Sequence, residues 1–131
     1  MLTRTNAGRT DPAQLDEIKT LSGRLIEERR KRLRMTQGQL ALKVGVGVRW
    51  LREIEAGNPK STMENHMRCA FALGMSASNL FVPALFSENN IAIPFDMLVE
   101  DPAGIKSRCL ECIADYCMEA LSVRLGRPIV R

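Results

Sequence analysis

The chain has 131 residues, of which 45% are hydrophobic and 26% are charged. This length predicts one compact domain, or one domain with an appendage, and the apolar share excludes a globally disordered chain. No stretch approaches the roughly 18 uninterrupted apolar residues of a membrane helix, and no apolar region follows the charged N-terminus as in a secretory signal. We therefore expect a cytoplasmic protein without a membrane partner, whose four cysteines are reduced.

Charge is distributed unevenly along the chain. Residues 1–86 hold 14 Lys and Arg against 8 Asp and Glu, whereas residues 87–131 hold 5 against 7. A basic first part indicates a module that faces a polyanion, and the mildly acidic remainder indicates a segment with another role.

Apolar spacing predicts five short helices in the first part of the chain. Asp11-Pro12 opens a long helix that runs to about Arg34, with Gly23 as a point where it kinks or splits. Short helices at residues 36–44 and 48–56 follow, and a capping box of Ser61 and Glu64 opens a fourth. A fifth runs from residue 76 to 81. Turns of a few residues between such helices predict an all-α bundle.

The last third of the chain differs. Residues 87–101 are interpreted as a connector, and the Asp101-Pro102 pair opens one more amphipathic helix from Ala103 to Leu125. We divide the chain into a flexible N-terminal arm (1–12), a bundle (13–86), the connector (87–101) and a C-terminal segment (102–131) that forms a homodimer. The predicted dimer interface is the apolar face of this helix, made by Ile105, Cys109, Cys112, Ile113, Tyr116 and Ala120.

The two helices at 37–44 and 48–56, joined by a tight turn, have the organisation of a helix-turn-helix. The sequence between Thr36 and Gly57 resembles the lambda-repressor-like (Xre/Cro) family of transcriptional regulators, and the resemblance extends over roughly residues 21–82. The residues that carry it are Thr36, Gln37, Leu40, Ala41, Gly45, Val46, Leu51, Ile54, Glu55, Gly57, Ala70, Leu73, Gly74, Met75, Ser76, Leu80 and Phe81.

This resemblance implies a five-helix bundle that binds double-stranded DNA as a dimer. Gln37 matches the position that contacts the DNA backbone and braces the reading helix. The base-reading positions of that helix correspond to Val48, Arg49, Arg52 and Glu53.

The resemblance also implies roles for other residues. Asn58 and Lys60 match a loop that touches phosphate, and Arg30 with Glu55 matches a buried ion pair. Trp50 stands where a small or polar residue is usual; it either touches a thymine methyl group or a sugar, or packs against a partner protein.

Two other features have competing interpretations. The basic run at residues 29–34 is either a solvated helix face or a source of one or two phosphate contacts. Cys109, Cys112 and Cys117 are interpreted as small apolar residues of a helix, with metal or redox sensing as the alternative. We expect no cofactor, a partly buried hydrogen-bonded His66 and, because no nucleophile–base pair is recognisable, no enzyme.

We therefore expect a sequence-specific DNA-binding regulator, a repressor by preference, that binds a palindromic operator as a homodimer. Two competitors remain: an antitoxin-like module whose C-terminal helix binds another protein, and a regulator that responds to metal or redox state through the C-terminal cysteines.

Overall fold

The computed structural model describes residues 11–128, and over this range the chain is helical without any strand, so the all-α class is confirmed. The elements are α1 (Pro12–Arg32), α2 (Gln37–Val44), α3 (Val48–Glu55), α4 (Met63–Ala72), a 3₁₀ helix (Ala77–Phe81), α5 (Val82–Glu88), α6 (Phe95–Glu100) and α7 (Pro102–Leu125). Most of the predicted N-terminal arm lies outside the described residues. Within them, no single helix is long and apolar enough to cross a membrane; only α4 taken together with the 3₁₀–α5 segment passes by length and composition, and this pair is bent by 119°.

The first helices begin and end where local chemistry requires. The Asp11 side chain accepts a hydrogen bond from the backbone N–H of Ala13 at 3.0 Å and so caps α1. Thr36 and Gln39 form a reciprocal capping box at the start of α2. Gly45 ends α2 in the left-handed conformation, at φ +82°, which glycine adopts without a steric penalty.

The start of α4 differs from the prediction. Its capping box consists of Thr62 and Asn65, one residue later than the predicted pair of Ser61 and Glu64. Ser61 is fully buried, and its hydroxyl donates to the carbonyl of Asn58 at 2.6 Å. The Ser61 side chain is therefore committed to the core and is not available to cap a helix.

Helix α1 lies at the centre of the bundle and packs against α3, α4, α5 and α6. It is one continuous helix through Gly23, so the predicted split does not occur. A Cβ atom at Gly23 would lie 2.5 Å from the backbone oxygens of Ile54 and Glu55. Glycine at this position therefore lets the end of α3 approach α1, and any larger residue would push the two helices apart.

The segment predicted as a connector, 87–101, is in part a helix of the bundle. Phe95, Leu98 and Val99 of α6 are buried and belong to the hydrophobic core. Their spacing of three and four residues forms one apolar stripe, which packs on α1. The guanidinium of Arg24 lies 4.0 Å from the centre of the Phe95 ring, a cation–π contact that fixes the same junction.

Part of the basic run at the end of α1 is used inside the molecule: Arg30 is buried and Arg29 is half-buried, whereas Lys31, Arg32 and Arg34 are exposed. Arg29 donates to the carbonyl oxygens of Leu73 at 3.1 Å and Val99 at 2.8 Å. Arg32 lies 3.7 Å from the Glu100 carboxylate. These bonds satisfy carbonyl groups and a carboxylate around α6, so the run attaches α6 to the bundle.

Helix α7 is attached to the bundle only by its first turns. Asn79 donates to the carbonyl of Pro102 at 3.0 Å, and Ile105 packs partly buried against the core. Beyond this point the helix projects, and Ile113 and Tyr116 are 61% and 72% exposed. Within residues 11–128 the predicted dimer face is covered at Ile105 and exposed from Cys109 onwards.

His66 is a fully buried polar residue that joins three parts of the bundle. Its Nδ1 lies 2.8 Å from the Ser22 hydroxyl of α1, and its Nε2 lies 2.9 Å from the Ser61 hydroxyl. Burial, and secondarily the positive charge of Lys19, lowers the pKa of His66 to about 4. The imidazole is therefore neutral in the folded protein at neutral pH.

This lowered pKa predicts acid destabilisation. The unfolded chain takes up a proton near pH 6.5 and the folded chain only near pH 4, so stability is complete above pH 6.5 and falls between these values, by at most about 3 kcal/mol. Urea unfolding measured from pH 7.5 to 4.5 checks this. The His66→Gln variant should show a shallower decline, and equal declines in both proteins would contradict the assignment.

Candidate nucleic-acid interface

Helix α3 is divided sharply into a buried face and an exposed face. Leu51 and Ile54 are completely buried against the core, whereas Arg49 and Arg52 are exposed on the outer side. The spacing of three residues between the two arginines places them on neighbouring turns of one face. The outer side of α3 is therefore a short ridge that carries two guanidinium groups.

The inner end of α3 is held by a buried ion pair. Arg30 Nε lies 2.6 Å from Glu55 Oε2, and Arg30 Nη2 lies 3.1 Å from Glu55 Oε1. The two residues are 7% and 6% exposed. Arg30 also donates to the carbonyl of Met35, which precedes α2. This is the ion pair that the resemblance implies, in a two-pronged geometry that joins the ends of α1 and α3.

Gln37 connects this ion pair to the exposed face. Its Nε2 donates to Glu55 Oε1 at 2.9 Å, and its Oε1 accepts from Arg52 Nε at 3.2 Å. A carboxylate only accepts hydrogen bonds, so the Gln37 amide group must turn its NH₂ towards Glu55 and its oxygen outwards. Arg52 thus receives an acceptor in a fixed position, and its remaining N–H groups face solvent.

Arg49 and Val48 complete the exposed part of α3. Arg49 makes no hydrogen bond or ion pair within residues 11–128, so its guanidinium is free to meet an external acceptor. Val48, at the first position of the helix, is 39% exposed. Together with Arg52 these residues offer two cationic donors and one small apolar surface.

Trp50 and Glu53, both predicted to be part of the DNA-binding surface, make contacts within the protein. Trp50 is half-buried and packs against the hydrophobic core, so it does not project with the arginines. The Glu53 carboxylate accepts from Asn58 Nδ2 at 2.8 Å, and Asn58 Oδ1 accepts from the backbone N–H of Lys60. Glu53 therefore stabilises the loop after α3, in which Lys60 is exposed.

One more residue supports this loop, and it is not among the site residues predicted from the sequence. Lys19 of α1 donates through Nζ to the carbonyl of Pro59 at 2.7 Å. The two residues are 40 positions apart, and no local pattern connects them. The bond anchors the loop that presents Lys60 to the same helix that carries Arg30.

The cysteines fall into two environments. Cys69 is completely buried, and burial, with the negative charge of Glu55, raises its pKa to about 12, so its thiol stays protonated. Cys109, Cys112 and Cys117 are exposed on α7. Among residues 11–128 no group of three or more His, Cys, Asp or Glu side chains is arranged to hold a metal ion.

The predicted dimer residues are all on α7 but in unequal surroundings. Ile105 is half-buried against its own bundle, whereas the remaining members of the set face solvent: Cys109, Cys112, Ile113, Tyr116 and Ala120. The face is thus available to a partner from Cys109 onwards.

Comparison with known proteins gives no relative. No family model, no curated protein and no solved structure matches the chain. The assignment of a function therefore depends on the residues and contacts described above.

The ion pair gives a direct stability test. Glu55→Ala leaves Arg30 buried and unpaired, and should lower the free energy of unfolding by about 3–5 kcal/mol. In the double variant Arg30→Met/Glu55→Leu much of this loss should return, because no charge is left buried. The matched control is Glu64→Ala, which removes the exposed pair with Arg68 and should cost less than about 1 kcal/mol. Equal losses in the buried and exposed pairs, measured by urea unfolding, would show that the Arg30–Glu55 pair contributes no more than a surface ion pair.

Proposed function

We propose that this protein is a sequence-specific, double-stranded DNA-binding transcriptional regulator that binds a palindromic operator as a homodimer. The observation that carries the proposal is the hydrogen-bonded chain from the buried Arg30–Glu55 pair through Gln37 to Arg52. It holds an exposed arginine in position on a helix whose opposite face is core. A solvated surface arginine has no need of such support.

The proposed mode of recognition places α3 in the major groove. This groove, about 12 Å wide, admits one helix, and an arginine can donate two hydrogen bonds to guanine O6 and N7. Arg49 and Arg52 are the base readers in this arrangement, and Val48 contacts a neighbouring apolar base edge. Lys60 and the backbone of its loop contact phosphate, which fixes the register.

The proposal includes the type of helical bundle. The order of α1 to α5, with α2 and α3 joined by a three-residue turn, is what a lambda-repressor-like bundle requires. Helix α6 and the C-terminal α7 are additions to it. The protein represses where its operator overlaps a promoter, and we place it in the cytoplasm, without a cofactor or a catalytic role.

A second candidate function is supported by α7. Its exposed apolar side chains suit an antitoxin-like module in which this helix binds a different protein and DNA binding is secondary. The exposed α7 cysteines keep a redox-responsive variant of the regulator open, whereas a metal-responsive one would require ligands from a second chain.

The primary proposal predicts the outcome of a selection from a random double-stranded DNA pool. The enriched sequences should form a palindrome whose half-sites are centred about 10–10.5 base pairs, or a multiple of this, apart. Sequencing of the bound pool reads symmetry and spacing together. Enrichment without a sequence preference would contradict the proposal.

The arginines of α3 should then account for base preference. On the selected duplex, Arg52→Ala and Arg49→Ala should each weaken binding by about 1–3 kcal/mol and relax the preference at one base pair per half-site. Fluorescence anisotropy on the selected duplex and on single-base variants measures both effects. The matched control is Arg68→Ala, which removes an exposed charge on α4. If all three variants lose affinity uniformly across the duplexes, α3 does not read bases.

A further inference from the structure

Helix α7 exposes more apolar surface than a solvated helix does. Six large apolar side chains between its third turn and its end are 41% to 79% exposed: Leu110, Ile113, Tyr116, Leu121, Val123 and Leu125. They lie on one broad side of the helix, away from Glu111, Asp115 and Glu119, and an exposed contiguous apolar surface of this kind marks an interaction site. The surface therefore requires an occupant.

A subset of these residues forms a narrow seam. Cys109, Ile113, Tyr116, Ala120 and Val123 follow one another at intervals of four, three, four and three residues. This alternation is the spacing of the contact line between two paired helices. The seam extends from the base of α7 almost to its end, so its natural occupant is another helix of similar length.

At the base of α7 the seam meets the bundle. A groove of about 330 Å³ between the 3₁₀–α5 segment and α7 has Cys109 and Ile113 in its lining. A second groove, of about 490 Å³, lies between α6 and α7 and is lined by Asp101, Arg108 and again Cys109. The first turns of the seam thus remain exposed and lie beside two open grooves of the bundle.

We propose that α7 pairs in antiparallel fashion with α7 of a second copy, whose last turns lie in these grooves. Cys109 then faces Ala120 of the second copy, and Ile113 faces its Tyr116. A parallel pair is disfavoured, because it places both bundles at the same end of the helix pair. This inference rests on the proposed function in one respect: the proposed function requires a homodimer.

Charge complementarity agrees with the antiparallel orientation. It brings Arg108 beside Glu119 of the second copy, and it brings Arg127 of the second copy to Asp101 at the groove between α6 and α7. Two like-charged contacts oppose these two: Lys106 with Arg124, and Asp115 with Asp115 of the second copy. The two-fold axis repeats every pair except the Asp115 pair, which lies on the axis, so the attractive contacts remain more numerous.

The arrangement also suits a duplex. Helix α7 has 24 residues, so at about 1.5 Å per residue the two bundles are attached roughly 36 Å apart. Successive turns of a B-DNA groove are separated by about 34–36 Å. An antiparallel α7 pair therefore spaces the bundles on the scale that two half-sites require.

Cross-linking with a short bismaleimide tests the orientation. In a background of Cys112→Ser and Cys117→Ser, adding Ala120→Cys leaves two reactive thiols, Cys109 and the new one, since Cys69 is buried and protonated. This protein should cross-link efficiently to a dimer. Two controls carry one α7 thiol each: the background alone, and the background with Cys109→Ser/Ala120→Cys. Each thiol is then about 16 Å along the axis from its own copy, so both should stay largely monomeric on a denaturing gel.

Each outcome decides the proposal. Cross-linking of the single-thiol controls as efficiently as the paired variant identifies a parallel pair and overturns it. Absence of cross-linking in the paired variant overturns it as well, and a monomeric mass in sedimentation then indicates a foreign partner for α7.

DNA binding separates this inference from the proposed function. Ile113→Glu lies on an exposed position, so the bundle stays folded, but pairing is lost. Binding to the selected palindrome should weaken by about a hundredfold, while binding to one half-site stays within about twofold. Ser107→Glu, on the opposite side of α7, should change neither. Unaltered palindrome binding by Ile113→Glu refutes the pairing, whereas half-site binding that is already indifferent to sequence in the parent refutes the proposed function alone.

Discussion

The buried ion pair between Arg30 and Glu55 is the interaction on which the rest of the structure depends. Removing two charges from water is costly, so the pair is tolerated only because each group is also bonded elsewhere: Arg30 to the carbonyl of Met35, and Glu55 to Gln37. These extra bonds connect the ends of three helices at one point. The position of α3 relative to α1 and α2 is therefore set by directional bonds as well as by apolar packing.

The internal bonds of the α1 arginines also determine which cationic groups are left on the exposed surface. The basic run of α1 suggests a large cationic face, but Arg29 and Arg30 are bonded to internal carbonyl groups and a carboxylate. Lys31, Arg32 and Arg34 of the run remain exposed, as do Arg49 and Arg52 of α3. Among these cations Arg52 is bonded to Gln37, which the buried ion pair holds in position, and this favours recognition of particular bases over contact with any phosphate backbone.

Much of the fold follows from local sequence chemistry, and the failures have physical causes. Asp11, the Thr36–Gln39 box and Gly45 determine helix ends by bonds within a few residues, so a single sequence reveals them. Helix α6 was not predicted, because six residues after a proline carry little periodic signal. Its stability comes from burial against α1, which is distant in sequence. The exposed ridge of α3 was predictable from spacing, whereas the half-buried Trp50 and the Glu53–Asn58 bond depend on tertiary contacts.

Base reading by α3 is tested most directly by a dimethyl sulfate protection experiment on the selected duplex, because guanine N7 is reached only from the major groove. Guanines on one face of each half-site should be protected in the complex, and protection of one specific guanine should be lost when the Arg52→Ala protein is bound. Contacts confined to sugar and phosphate, with every guanine N7 fully reactive in the complex, would contradict the central claim that α3 reads base edges.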